Sequence, residues 1–372
     1  MRIFYLSTTS FSDCELALLN KIGETDTVKY GVVIPRKNNN FTEDEIRLHA
    51  DKDAMSLLPV HLKYRFRDAR QVLIYLKLLR NIRSFKPDVI YINFFHDVYF
   101  NSLIIPFLNS KKTILGLHDV LHHSGTKNKS LVNLVQNAVL SKFKNVLTFS
   151  KSQMQLLKAE HDGHRVFNIP LMLKDFGEKK TKMNEYSTIK FLFFGNIQTY
   201  KGLDILLKAV TKLRDKYSNF SLTIAGRCKE WDTLYQPLIN DKVDIDLHIR
   251  FIKNEEIPEF FSQAHYLLLP YKDVTQSGPL MIAYNYDLPV ISSNIDGFKE
   301  FIEDGKTGFL FENMNVDALK DVLEQAVLRK ETDYNKLIDG IKLYKDVHFA
   351  PQKIKNDYLS MFQEVIDVHQ KN

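Results

Sequence analysis

Apolar residues along this chain fall in short runs of strand length, separated by polar turns and by stretches where they recur at helical spacing. Ile3 to Leu6 reads as a buried first strand. Ser12-Asp-Cys-Glu15 has the form of a capping box, so a helix is expected to start there. Further strands are read at 28–34, 87–93, 113–117 and 145–149, and Ser150-Lys-Ser-Gln153 caps the helix after the last of these. Between about 171 and 188 the pattern dissolves into Lys, Glu, Asn and Thr, which marks a linker. The alternation then restarts. Strands are expected at 190–194, 221–225, 248–252, 266–269, 289–293 and 308–311, and helices at 203–216, 255–263, 279–286 and 316–328, with a last helical segment at about 351–368. Two successive βα series imply two doubly wound α/β domains facing a cleft.

The 372 residues are too many for one compact core, which agrees with two domains. Hydrophobic residues make up 44% and charged residues 26%, ordinary for a globular protein. The N-terminal apolar run is too short for a signal peptide, and no run approaches the ~18 residues a bilayer span needs. Cys14 and Cys228 cannot build a disulfide framework and fit a reducing compartment. The net charge of +6 is mild, so its distribution matters more than its size, and no nucleic-acid partner is expected. The charge is concentrated in residues 61–86, read as a basic helical stretch. Lys63, Arg65, Arg67, Arg70, Lys77, Arg80, Arg83 and Lys86 stand there against Asp68 alone, with Val72, Tyr75, Leu76 and Leu79 as an apolar stripe. Such a stretch is either a solvated surface helix or a patch that docks on anionic headgroups or an anionic acceptor. Lys127, Lys129, Lys142 and Lys144 add to the basic character.

Three places carry candidate chemistry. Phe191-Leu-Phe-Phe-Gly-Asn-Ile-Gln-Thr-Tyr-Lys-Gly202 is a strand, a turn at Gly195 and the start of a helix, with Lys201 at the mouth of the loop. This is either an ordinary βα turn with a solvated lysine or a site where amides and a helix N-terminus meet an anion. In the second place, a strand ending near Leu269 leads to Gln276-Ser-Gly-Pro279, where a helix begins. Ser277 is a plausible N-cap. Its N–H and that of Gly278 could hold an anion, while Pro279 donates nothing. The third place is His118-Asp119, just past a strand end, followed by His122 and His123. Groups there face the ligand crevice of a parallel sheet. No third ligand group has recognisable metal spacing, so no metal is expected. Asp119 reads as structural, His122 and His123 as loop residues, and Phe94-Phe95 and Phe260-Phe261 as core rather than sugar platforms.

With these pieces in hand, the C-terminal half resembles a retaining glycosyltransferase of family 4, with the GT-B fold. The matching motifs are Phe193-Phe-Gly195 with Tyr200-Lys-Gly202, Ile224-Ala-Gly-Arg227, Thr275-Gln-Ser-Gly278 leading to Leu288-Pro-Val-Ile291, and Asp296-Gly297…Glu300…Asp304-Gly-Lys-Thr-Gly308. In the N-terminal half, His118-Asp119 and Leu147-Thr-Phe-Ser150 carry the likeness. The resemblance implies an N-terminal domain of residues 1–170 joined by a C-terminal helix from the 351–372 segment, a linker at 171–188, and a donor domain at 189–350. It implies transfer of a sugar from a nucleotide-diphosphate sugar with no cofactor and no metal. Lys201, with the amides of Ser277 and Gly278, would hold the diphosphate beside Gly195 and Asn196. Arg227 and Ile252-Lys253 would lie near the base or ribose, and His118 would reach the donor sugar. Many relatives have arginine where Asn196 stands and two glutamates where Val274 and Ile282 stand; a Gln-Ser-Gly subgroup also lacks the glutamates. Thr8-Thr-Ser-Phe-Ser12 replaces the glycine-rich first loop of many relatives. Glu300 could touch ligand or cap a helix.

The expectation is therefore a two-domain transferase at the cytoplasmic face of a membrane. It would act on a glycan or lipid-linked acceptor in cell-surface polysaccharide synthesis, with an anionic membrane surface meeting residues 61–86. Lys201 is expected to face solvent. An epimerase of the same fold would need more acid–base carboxylates than are found, and a phosphorylase would often carry a pyridoxal-linked lysine, for which there is no motif. An inactive nucleotide-sugar-binding protein is the remaining alternative.

Overall fold

The computed structural model describes residues 1–36, 41–64, 68–93, 97–120, 129–179 and 186–371. Arg65, Arg67, Phe94, Phe95, His122, His123 and Lys127 lie outside them. The chain forms two compact units: residues up to Met172 with the segment from Ala350 onward, and Leu173–Phe349.

The first unit contains β1 (Arg2–Thr8), α1 (Ser12–Gly23), β2 (Thr27–Ile34), α2 (Glu43–His49), β3 (Met55–His61), α3 (Gln71–Phe85), β4 (Val89–Asn93), α4 (Val98–Leu103), β5 (Thr113–Leu117), α5 (Lys129–Lys142), β6 (Asn145–Thr148), α6 (Lys151–Glu160) and β7 (Arg165–Asn168). Its strands are all parallel, in the order β3-β2-β1-β4-β5-β6-β7. The second unit contains β8 (Ile189–Phe194), α7 (Leu203–Arg214), β9 (Phe220–Ala225), β10 (Ile245–His248), α8 (Ile257–Gln263), β11 (Tyr266–Leu269), α9 (Gly278–Asn285), β12 (Val290–Ser293), α10 (Asp296–Lys299), β13 (Gly308–Phe311), α11 (Val316–Leu328) and α12 (Glu331–His348). Its sheet is also parallel, ordered β10-β9-β8-β11-β12-β13. The last helix, α13 (Pro351–Lys371), belongs to the first unit.

Both sheets are buried on two faces, so their central strands are continuous apolar runs such as Phe191 to Phe194. In each sheet the strand order reverses direction once, between β1 and β4 and between β8 and β11. Loops leaving the C-terminal ends of those strands part there and leave a crevice. The two α/β domains read from the sequence are thus present, each with its own core.

Several elements differ from the sequence reading. The basic stretch 61–86 is not one helix: His61 ends a strand, and only Gln71–Phe85 is helical. Pro59 hides the strand in the sequence, but β3 lies at the sheet edge, where a missing N–H is tolerated. The buried stripe of α3 is Tyr75, Leu78, Leu79 and Ile82, while Leu76 faces outward. Strand β10 is Ile245–His248 rather than 248–252, because the outer strand is half exposed and its apolar signal is weak. Ser12 and Glu15 form no capping box. The helix starts without a side-chain cap, and Glu15 turns into the core. Of the two adjacent phenylalanines in α8, Phe261 is buried and Phe260 is half-buried beside Phe194.

The crevice end of the second sheet is closely packed. The β8 and β9 loops touch through backbone: Gly195 N–H donates to Ala225 O at 2.9 Å, and Ile197 N–H to Arg227 O at 2.8 Å. Gly226 has φ +151°, and a Cβ there would sit 1.9 Å from the Gly195 carbonyl oxygen. Neither the backbone region nor the space admits a side chain. Gly226→Ala is therefore expected to lower unfolding free energy by about 2 kcal/mol or more, read by chemical denaturation. A wild-type midpoint would show that the two loops separate freely.

Candidate functional site

Lys201 is the centre of the second unit's crevice. It ends a single 3-10 turn, Thr199–Lys201, and Gly202 (φ 67°) switches the chain into α7. A Cβ on Gly202 would fall 1.9 Å from Pro270 O, so the start of α7 lies against the loop after β11. These contacts turn the Lys201 side chain inward. It is 7% exposed, which corrects the expectation that it faces solvent.

The ammonium meets the start of α9. A Cβ placed on Gly195 would lie 3.0 Å from Lys201 Nζ and 3.5 Å from Pro279 Cγ. Gly195, the ammonium and the first turn of α9 therefore border one small space. Ser277 caps that helix, its Oγ accepting from Leu280 N–H at 3.3 Å. Tyr271 forms another side, with Lys201 Nζ 5.3 Å from its ring centroid. Among the described residues no carboxylate and no hydrogen-bond acceptor meets the Lys201 ammonium. Burial pulls its pKa down to about 8. A dehydrated cation beside the positive end of a helix suits an anion, which would supply the missing partner to both.

Of the other predicted residues, Gly195, Ser277 and Gly278 share this space with Lys201. Asn196 is exposed on the same loop, and Arg227 is exposed on the next one with its guanidinium 5.0 Å from the Phe251 ring centroid. Ile252 is a core side chain at 7% exposure, whereas Lys253 is exposed and its N–H donates to Glu256 at 2.9 Å. No contact joins Ile252 or Lys253 to Lys201. Val274 and Ile282 are both buried, and a Cβ on Gly297 would lie 2.4 Å from Val274 O. Apolar packing occupies the places where glutamates were looked for. Glu300 follows α10, and its carbonyl accepts from Tyr344 Oη at 3.1 Å. Sequence reading missed Lys174, whose Nζ comes 3.6 Å from the Cβ position of Gly278. It sits in the stretch read as a linker, where no periodicity singles out a residue.

His118 belongs to the first unit and follows β5. Its ring is stacked between Phe11, at 4.2 Å and 7°, and Phe149, at 4.3 Å and 20°. Its Nε2 is 2.8 Å from Asn93 Oδ1 at the end of β4. Among the described residues no group of three His, Cys, Asp or Glu side chains could hold a metal ion.

Comparison with known proteins bears on the fold that carries these residues. Residues 188–328 match the family model for glycosyl transferases group 1. An uncharacterised glycosyltransferase of Haemophilus influenzae is 24% identical over 297 residues, covering 79% of this chain and 80% of the relative. Among solved structures, sucrose-phosphate synthase from Thermosynechococcus elongatus superposes with a TM-score of 0.76 at 13% identity, over 99% of this chain and 100% of that one. Anabaena Alr3699/HepE, in complex with UDP and glucose, superposes with a TM-score of 0.72 at 14% identity, over 98% and 100%. The fold is that of GT-B glycosyltransferases, and the second unit carries the group 1 glycosyl transferase match.

The lowered Lys201 pKa has a stability consequence with a definite sign. The unfolded lysine titrates near 10.5 and the folded one near 8, so between these values the unfolded state holds more protons. Burying the ammonium thus destabilises the fold fully below pH 8, and the penalty fades as pH rises toward 10.5. Lys201→Met is expected to stabilise the protein at pH 7 by up to about 3 kcal/mol and by much less at pH 10. Denaturation curves at the two pH values check this; a gain independent of pH would mean that the ammonium is not desolvated.

Proposed function

We propose that the protein is a retaining glycosyltransferase of family 4, of the Gln-Ser-Gly loop subgroup, moving a sugar from a nucleotide-diphosphate sugar to a glycan or lipid-linked acceptor in cell-surface polysaccharide synthesis. The observation that carries the reading is the Lys201 ammonium, buried without a counter-charge beside Gly195 and the first turn of α9. A pyrophosphate there would accept from Lys201 and from the Ser277 and Gly278 amides, with Lys174 close by. Fixed positive charge of this kind stabilises the leaving diphosphate without a metal ion. Arg227 and the Ile252-Lys253 segment are assigned to the base or ribose, and His118 to the donor sugar. Anabaena Alr3699/HepE, a protein of the same fold, was solved in complex with UDP and glucose, which supports a nucleotide-diphosphate donor.

The acceptor reading rests on the first unit. Lys77, Arg80, Arg83 and Lys86 are exposed on or next to α3. Leu73, 67% exposed, and Phe107, 58% exposed, are apolar side chains in the same part of the chain. Basic and apolar groups together suit anionic lipid headgroups and a peripheral position at the inner face of a membrane. Among the described residues no helix is long and apolar enough to cross a membrane. A second reading, an inactive nucleotide-sugar-binding protein, is favoured by the burial of Val274 and Ile282 where donor-binding carboxylates would stand.

A thermal-shift screen against UDP, GDP, ADP and their sugars tests the donor site. One diphosphate is expected to raise the melting temperature, and Lys201→Met to weaken its binding about tenfold or more, as loss of a charge-assisted contact requires. No shift with any nucleotide would remove the site. Binding without turnover across donors and acceptors would select the inactive reading. In flotation at low salt the protein should rise with anionic liposomes, and recovery only in the soluble fraction would remove the membrane assignment.

A further inference from the structure

Glu15 carries a carboxylate that the transferase reading leaves unused. It is 4% exposed, in the first turn of α1, under the crevice end of the first sheet. Oε1 accepts from Tyr5 Oη at 3.1 Å and from Asn93 Nδ2 at 2.8 Å, and Oε2 accepts from Tyr30 Oη at 3.0 Å. Tyr30 Oη also lies 3.2 Å from Ser12 Oγ. Burial pushes the Glu15 pKa up to about 7, with the bond from Asn93 as the main opposing influence.

Asn93 has one amide to divide between two neighbours. A carboxylate can only accept, so it takes the Nδ2 side and fixes which way the amide points. Oδ1 is then left for His118 Nε2, 2.8 Å away. An amide oxygen can only accept, so Nε2 must carry a proton. The neighbouring phenylalanine rings already hold the imidazole plane, so the chain Glu15–Asn93–His118 settles what the plane leaves open: which ring nitrogen donates.

We infer that Glu15 is a positioning residue for His118, acting through the Asn93 amide to hold the imidazole in its Nε2–H form. Only the consequence for turnover rests on the transferase reading; the ring form follows from the network itself. Protonation of Glu15 loosens the chain: the carboxyl can then donate as well as accept, so it no longer dictates which way the Asn93 amide points or which His118 nitrogen carries the proton. The titratable and polar groups facing the carboxylate include Tyr5 and Ser7 from β1, Tyr30 from β2, Tyr91 and Asn93 from β4, Cys14 and Ser12 from α1, and Tyr358 from α13. Burial pushes the four phenols upward, so they stay neutral while Glu15 titrates. Asp119 is the ionisable group next to His118 in the chain.

Imidazole nitrogen NMR of histidine-labelled protein tests this, with the His118 signals assigned by their loss in His118→Ala. At pH 8 the wild-type ring is expected with its proton on Nε2. In Glu15→Gln the ring should become a mixture of both neutral forms, because the glutamine amide can accept from or donate to Asn93 and no longer fixes its orientation. Adding Asn93→Asp to Glu15→Gln moves the carboxylate next to the ring and should restore the Nε2–H form. If Glu15→Gln does not fold, Asn93→Ala breaks the chain with Glu15 retained and should give the same mixture. Unchanged ring signals at pH 8 in a folded Glu15→Gln or Asn93→Ala protein would overturn the inference, whatever happens to activity. If the ring form changes as expected while His118→Ala turns over normally, the positioning stands and the assignment of His118 to the donor sugar falls.

Discussion

A buried ammonium that meets no counter-ion among the described residues is the constraint around which the second unit is arranged. Water would solvate Lys201 better than the pocket does, and its low pKa records that loss. The surrounding elements hold it in place all the same. Gly202 presses against Pro270, Gly226 against Gly195, and α9 begins where the ammonium ends. Each contact needs a glycine, so backbone comes closer to backbone than any side chain would allow. The result is a positive group held in a place that costs folding free energy.

The first unit repeats the arrangement with opposite sign. At its own strand-order reversal it buries the Glu15 carboxylate, ringed by donors from β1, β2 and β4. Here the charge is satisfied, and its influence passes outward along hydrogen bonds to His118. One unit holds a charge that no described residue partners. The other surrounds its charge with donors.

The fold class was legible because parallel strands buried on both faces leave apolar runs that need no alignment to see, as at Phe191 to Phe194. Strands at the sheet edges were not. Met55–His61 carries Pro59, and Ile245–His248 is half exposed, so their patterns are mixed. The spatial grouping of Gly195, Lys201, Ser277 and Gly278 was legible from strand–turn–helix punctuation, since a parallel sheet gathers the loops at its strand ends. Burial of Lys201 was not, because a lysine in a loop carries no mark of the close glycine contacts that enclose it. Glu15 was misread for a related reason. Its spacing from Ser12 satisfies a local rule, but three hydrogen bonds from Tyr5, Tyr30 and Asn93 outweigh one helix cap. Lys174 could have been found only from tertiary structure.

The return of α13 to the first unit has a consequence for synthesis. Tyr358 packs edge-on to Tyr91 at 6.1 Å, and Lys355 reaches Glu24 at 3.1 Å, so the first unit borrows its last helix from beyond the whole Leu173–Phe349 segment. A ribosome at typical speed needs roughly 10–40 s to pass through the intervening unit. Throughout that interval the surface of β4 and α1 that α13 will cover is exposed, aromatic and sticky. The nascent chain must therefore keep an incomplete domain soluble while its successor is still being made, and a chaperone that binds apolar surface would find its substrate there.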